Sequence, residues 1–266
     1  MPTSRDARPA DLHRLAVLAT AHMGLFAGSV VSHQSAAAIH RLPMLLPNFR
    51  RIHATTGLAD GGRRTATRHD HVGTISPEEL TTVDGLVVTT IERTAVDVAC
   101  TTTMGFAGAL AVLDAALRRG AKRGVLADLL RASRRGVGIA RRALFHATGL
   151  AENPGESWSH AQLVEAGLPV PRLQHEFFNE DGRFVARTDF DWGGLLAGEF
   201  DGKVKYGRLL RTGESPGDAV FREKKREDAL RRLGVMVVRW TWEDLEHHRV
   251  AAIVRPWLVQ FEMLAA

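Results

Sequence analysis

The chain has 266 residues, the length of about two domains at roughly 150 residues each. Apolar residues make up 45% and charged residues 24%, a globular composition that excludes whole-chain disorder. The one cysteine, Cys100, excludes a disulfide scaffold, and no apolar run reaches the ~18–20 residues of a membrane span. A formal charge of +5, rich in arginine, suits a polyanionic partner. Ala19-Thr20-Ala21 is cleavage-like after a basic start, but the composition is read as that of a cytoplasmic protein with no membrane partner.

Residues 11–42 read as helical, because Leu12, Leu15, Leu18 and Ala19 recur at helical spacing; Ser32-His33-Gln34-Ser35 offers a polar N-cap before Ala36-Ala37-Ala38-Ile39, and Pro43 and Pro47 end the segment. Residues 50–92 read as β-rich. Arg51 to Thr55 alternates, Gly61-Gly62 marks a turn, and Asp84-Gly85 is a hairpin signal ahead of Leu86-Val87-Val88-Thr89. From Glu92 to Gly149 the period is helical again, with Gly120, Gly124, Gly136 and Gly138 expected to punctuate four short helices. Residues 101–150 carry nine Lys or Arg against Asp114 and Asp128. Within that stretch Arg118, Arg119, Arg134, Arg135, Arg141 and Arg142 are the candidate phosphate-facing residues for DNA; a solvated helix surface explains the same charge.

Ala151-Glu152-Asn153-Pro154-Gly155 is turn-rich and divides the chain into 1–150 and 151–266. The second part opens with a helix from Glu156 to Ala166. Strands follow at Leu173–Phe178, Phe184–Trp192 and Leu195–Lys205, with Gly193-Gly194 as a turn. A charged helix from Pro216 to Leu233 is capped by Gly234, then comes a strand at Val235–Trp240 and a helix from Trp242. The fold class is therefore α/β: an N-terminal α+β core with a helical bundle, then an α-β-β-β-α-β unit.

Side chains two apart on a strand share a face, which groups Asp189 with Asp191, and Glu199 with Asp201, Lys203 and Lys205. Carboxylates at this density repel one another, and a hard divalent cation relieves that repulsion. An outward-facing edge strand guarded by charge explains the same pattern.

The run Arg187-Thr188-Asp189-Phe190-Asp191-Trp192, followed by Glu199-Phe200-Asp201-Gly202-Lys203-Val204-Lys205-Tyr206, resembles the PD-(D/E)XK nuclease superfamily. Its very-short-patch-repair-like branch is the nearest likeness. The charged helix Arg222 to Arg232, the strand ending Arg239-Trp240 and the helix start Glu156-Ser157 follow that branch's order. The resemblance covers about 155–250 and implies a restriction-endonuclease-like fold with Mg²⁺- or Mn²⁺-dependent phosphodiester hydrolysis. Asp189 and Glu199 would be metal ligands, Glu156 would support them, and a lysine would steady the transition state. The usual lysine position, two residues past the second acid, holds Asp201 here. Either Glu199 is the acid with Lys203 or Lys205 reaching in, or Asp201-Gly202-Lys203 is the triplet paired with Asp191. Both spacings are ten residues, so spacing leaves the register open.

In the first part, Val31-Ser32-His33-Gln34-Ser35-Ala36-Ala37-Ala38-Ile39-His40-Arg41-Leu42-Pro43 and the stretch from Asp84 to Asp97 resemble the actinobacterial relatives of AbiEi-type antitoxins. A winged helix-turn-helix precedes this core in those relatives, and the 31 residues ahead of Ser32 are too few for one. Thr89, Arg93 and Asp97 are expected to cap a helix and pair across it.

Other motifs carry less. His69-Asp70-His71 has a metal-like composition but reads as loop, and Ser32-His33 does not read as a catalytic pair. His247-His248 reads as a solvated helix face, and Cys100 as an inert thiol. Trp240 and Trp242 read as core before base-stacking platforms, and the Gly-Gly pairs match no phosphate loop. The sequence thus points to a DNA endonuclease or nickase serving defence or repair. The alternative is a non-catalytic DNA-binding regulator or antitoxin, with a toxin partner and a degenerate nuclease domain.

Overall fold

The computed structural model describes residues 8–26, 28–58, 61–202 and 216–265. The chain divides into two compact units, Met1–Pro154 and Gly155–Ala266.

The first unit runs α1 (Pro9–His22), β1 (Val30–Val31), α2 (His33–Ile39), β2 (Ile52–Thr55), β3 (Arg63–Arg64), β4 (Arg68–His71), β5 (Leu80–Val83) and β6 (Leu86–Thr89), then α3 (Ile91–Thr101), α4 (Gly105–Arg118), α5 (Arg123–Leu129) and α6 (Val137–His146). Its sheet has the order β3-β4-β2-β1-β6-β5. The expected helix over 11–42 is broken in two. Past α1 the chain turns through Gly24 and Gly28, both at positive φ, and the β-branched pair Val30-Val31 enters the sheet. Ser32 holds the N-cap position of α2, but its hydroxyl bonds His33 instead of the helix backbone.

The Asp84-Gly85 hairpin forms as expected. Both residues have positive φ, as a two-residue turn between right-twisted strands requires, and Val83 pairs with Leu86. Four helices follow β6, but their punctuation differs from the expectation. Gly120 and Gly136 do stand at helix ends with left-handed φ. Gly124 and Gly138 lie inside α5 and α6, where a glycine costs only about 1 kcal/mol against alanine. The sheet packs on α1 and α2 through Val17, Phe26, Val31, Ala36, Ile39, Ala54 and Val88. Alanines on α4, among them Ala107, Ala111 and Ala115, are buried where it packs against α3 and α6.

The second unit runs α7 (Pro154–Glu165), β7 (Arg172–Phe178), β8 (Phe184–Trp192), β9 (Leu196–Asp201), α8 (Pro216–Arg232), β10 (Met236–Thr241), α9 (Trp242–Glu246) and α10 (Val250–Gln260). β7, β8 and β9 form an antiparallel meander, and β10 joins it parallel to β9 after the α8 crossover, in the order β10-β9-β8-β7. The α-β-β-β-α-β order is present, followed by two helices. Trp240 is fully buried, and its Nε1 donates to Ser159 Oγ of α7 at 2.7 Å. Gly198 makes room for it: a Cβ there would lie 2.5 Å from the indole. Leu230 of α8 packs with Phe177, Ala186, Ala197 and Val235.

Candidate functional site

In the second unit the carboxylates fall into two groups. Glu156, in the first turn of α7, is buried. Gln174 Nε2 donates to Glu156 Oε2 at 3.0 Å and to Asp189 Oδ1 at 3.2 Å, so one amide joins the two acids. Gln174 reaches them from a left-handed backbone (φ 51°) within β7, a conformation that costs a non-glycine residue about 1–2 kcal/mol. The other Asp189 oxygen accepts the Phe200 backbone N–H at 2.9 Å.

Glu199 is held differently. Arg226 of α8 meets its carboxylate at 2.8 Å and Arg239 of β10 at 3.0 Å, while Arg239 also bonds Glu227 at 2.7 Å. Both guanidinium groups donate to Oε2, where they would compete with a metal ion, whereas Oε1 accepts no hydrogen bond among the described residues. Among the described residues, the three-membered group with ligand atoms all within 4.8 Å is a set of histidines, not these acids. Glu156 and Asp189 are thus joined through Gln174, while Glu199 pairs with arginines. Asp191 is buried, accepting from Arg172 at 2.7 Å and from the Gly194 N–H at 2.9 Å, whereas Asp201 is exposed. Lys203 and Lys205 lie outside the described residues.

The six basic candidates divide as well. Arg134 bonds Asp97 at 3.2 Å, Arg141 bonds the Leu130 and Arg131 carbonyls, and Arg142 lies over the Phe106 ring at 4.3 Å. Arg141 and Arg142 stand on α6 and Arg134 in the connection before it, and Arg141 and Arg142 are exposed as well. Arg118, Arg119 and Arg135 are exposed.

A polar cluster that sequence reading passed over lies in the first unit. His69-Asp70-His71 is not a loop but strand β4, paired in parallel with β2 so that His69 stands opposite His53 and His71 opposite Thr55. Residues opposite or two apart share a sheet face, so the three imidazoles converge. His53 Nδ1 and His71 Nε2 are 2.9 Å apart, and the His69 and His71 rings are 3.8 Å apart. His33 stacks on His71 at 3.6 Å. Burial, reinforced by the neighbouring rings, pushes His53 down to about 4 and His71 to about 2 and lowers His33, while burial with the charges of Arg64 and Arg51 lowers His69. All four imidazoles are therefore neutral at pH 7.

Behind the cluster, Ser32 Oγ bonds His33 Nδ1 at 2.9 Å and accepts from Thr55 at 2.8 Å. The serine is fully buried, so this pair anchors the ring rather than presenting a nucleophile. Arg93 Nε bonds both Asp97 oxygens at 3.0 Å, and its Nη1 reaches Glu79 at 2.9 Å. Burial opposes the Arg93 charge, but Asp97 and Glu79 outweigh it and raise its pKa; for Asp97 burial outweighs the pairing, and its carboxyl moves up. The expected Arg93–Asp97 pair is thus present. The cap of α3, however, is Thr90, which accepts the Arg93 N–H, while Thr89 bonds Thr94 at 2.6 Å.

Cys100 is half-buried, with its thiol pushed up by burial and so unreactive. Trp240 is core, and Trp242 packs edge-on to Phe200. His247 and His248 are exposed, His247 bonding the Glu243 carbonyl. The overlooked signal was period two: His-x-His on a strand puts both rings on one side. The third ring, His53, is placed beside them only by parallel pairing across sixteen residues.

Comparison with known proteins bears on the first unit above all. The family described as AbiEi antitoxin C-terminal domain matches residues 7–144. Two uncharacterised proteins of Mycobacterium tuberculosis, from strains CDC 1551 / Oshkosh and ATCC 25618 / H37Rv, are each 32% identical over 227 residues, covering 82% of this chain and 73% of the relative. No solved structure matches the chain. Among the described residues, no helix is long and apolar enough to cross a membrane.

Proposed function

Because the chain belongs to the AbiEi antitoxin C-terminal domain family, we propose that it is a non-catalytic regulator, the antitoxin of a toxin–antitoxin pair, whose second unit keeps a nuclease-like element order without the cutting chemistry. The observation that carries this reading is the family match over residues 7–144. The ion pairs of Glu199 with Arg226 and Arg239 support it, since they neutralise the carboxylate that a metal-dependent nuclease would use. A toxin partner follows from the family. DNA is the second partner, met by the exposed Arg118, Arg119 and Arg135.

A metal-dependent endonuclease is the second reading, favoured by Gln174 joining Glu156 and Asp189. One experiment separates the two. Supercoiled and linear plasmid are incubated with Mg²⁺, Mn²⁺ or EDTA and the wild type, Glu199→Ala or Asp189→Asn. DNA binding is followed in parallel by mobility shift over a salt series. The regulator leaves plasmid intact, and its binding is unchanged by either carboxylate substitution. Replacing Arg118, Arg119 and Arg135 by alanine weakens that binding and reduces the salt slope by about one unit per lost phosphate contact. Metal-dependent cutting that both carboxylate variants abolish would replace this reading with the nuclease.

A further inference from the structure

We infer that His53, His69 and His71 form a binding site for a borderline divalent transition-metal ion, Zn²⁺ foremost, with three imidazole ligands and a fourth position left for water or an anion. The site lies in the first unit and uses none of Glu156, Asp189 or Glu199. It therefore stands or falls apart from the antitoxin reading.

The sheet register builds the site. β4 supplies two rings on one face, and β2 supplies the third beside them. Ligand nitrogens of the three residues all lie within 4.8 Å of one another. Zn–N bonds of about 2.0–2.1 Å in a tetrahedron set neighbouring nitrogens about 3.3–3.4 Å apart. His53 Nδ1 and His71 Nε2, at 2.9 Å, need to part by only a few tenths of an ångström. Rotation about χ1 and χ2 supplies that without moving the strands.

The donor set selects the ion. Three imidazoles with no carboxylate suit Zn²⁺, Cu²⁺ or Ni²⁺ and are foreign to Mg²⁺ and Ca²⁺, which take oxygen. The three residues are half-buried, so an ion can enter from solvent yet is shielded once bound. The surroundings hold the rings in place. His33 stacks on His71 with the planes 11° apart, and His33 is itself fixed by Ser32. Such outer partners orient metal ligands in characterised sites. Arg51 and Arg64 lie near enough to act on His69 electrostatically, which favours an anion at the fourth position over a second cation.

The test uses the full, untagged chain, stripped with EDTA and then dialysed. Zn²⁺ is titrated against a chromophoric chelator, and Co²⁺ is followed by its visible d–d absorption. One equivalent of either ion per chain is expected, with the intense bands of four- or five-coordinate Co²⁺, and no competition from millimolar Mg²⁺. His53→Ala, His69→Ala and His71→Ala should each weaken Zn²⁺ binding beyond the 10–100-fold typical of an outer-shell change. The His247→Ala/His248→Ala double variant should bind as the wild type does. Circular dichroism of each metal-free variant checks folding. X-ray absorption at the zinc edge of the wild type shows the three-imidazole shell whether or not the variants fold. Failure of the wild type to take up Zn²⁺ or Co²⁺, uptake unchanged in the three folded single variants, or a shell without three imidazoles would overturn the site.

Discussion

Glu199 and Arg239 stand opposite each other in the parallel β9–β10 pair, and their side chains meet at 3.0 Å. Arg226 reaches the same carboxylate from α8, so one buried acid ties the crossover helix to two adjacent strands. Replacing Glu199 by Gln keeps the shape and removes the charge. Hydrogen bonds to charged groups are worth about 1.5–3 kcal/mol. Glu199→Gln is expected to lower the unfolding free energy by about that amount in urea titration. An unchanged midpoint would show that the carboxylate is not structural.

Arg93 is the corresponding knot in the first unit. It bonds Asp97 through Nε, and Glu79 and the Thr74 carbonyl through Nη1. A lysine ammonium cannot span these three directions. Arg93→Lys should therefore approach the roughly 3–5 kcal/mol loss of a broken buried pair. Thermal unfolding followed by circular dichroism measures it.

Asp114, buried on α4, accepts the backbone N–H groups of Thr148 and Gly149 at 2.8 and 2.9 Å. Each buried donor left without a partner costs about 1–3 kcal/mol. Asp114→Ala should destabilise by at least that much, while Asp114→Asn, which keeps an accepting oxygen, should recover part of the loss. Equal damage from both substitutions would indicate that charge, not acceptance, is what α4 supplies.

Gly136 opens α6 with φ at 78°, and a Cβ there would lie 2.1 Å from the Cys100 carbonyl oxygen. Strain at such a site costs about 1–3 kcal/mol before the clash is counted. Gly136→Ala should lower the melting temperature measurably, whereas Gly124→Ala, inside α5 with open space around it, should be neutral or slightly stabilising.

Asp244 closes a capping box with Thr241 at the start of α9, accepting the Thr241 N–H at 2.9 Å. That backbone bond holds the carboxyl below its ordinary value of 3.8. A depressed folded-state pKa contributes stability above the unfolded value, and this contribution is lost as pH falls through the folded one. Asp244→Ala should cost about 0.5–2 kcal/mol at neutral pH. The gap between variant and wild type should close below pH 4. A gap independent of pH would show that the ionised form of the carboxylate is not what Asp244 contributes.

Local chemistry was legible in the sequence. Asp84-Gly85 announced its hairpin, and Arg93 and Asp97, one helical turn apart, announced their pair, because both depend on neighbours in the chain. The histidine face was not legible. The strand Arg68-His69-Asp70-His71 has no apolar alternation to mark it, and its partner strand is identified only by parallel pairing. The partners of Glu199 were not legible for a related reason. Asp189 and Glu199 look like partners at a spacing of ten, but Glu199 is matched by arginines 27 and 40 residues downstream. The glycines show the limit of composition: of the four between Glu92 and Gly149 expected to end helices, two do, and their φ angles are what sets them apart.

The two residues of β1 hold a six-stranded sheet together. β1 pairs antiparallel with β2 through Val30 and Val31, and parallel with β6 through Val31 alone. Within the sheet, among the described residues, the half that carries the histidines joins the half that carries the hairpin along this seam, while Val31, Ala54 and Val88 share one core. A seam one residue deep cannot open by degrees, so the amides on either side of Val31 should exchange with solvent as a single cooperative group. Val88 lies 57 positions along the chain from Val31, so closing the seam fixes a long loop. Joining the two halves would then be the slow, late event in the assembly of this unit.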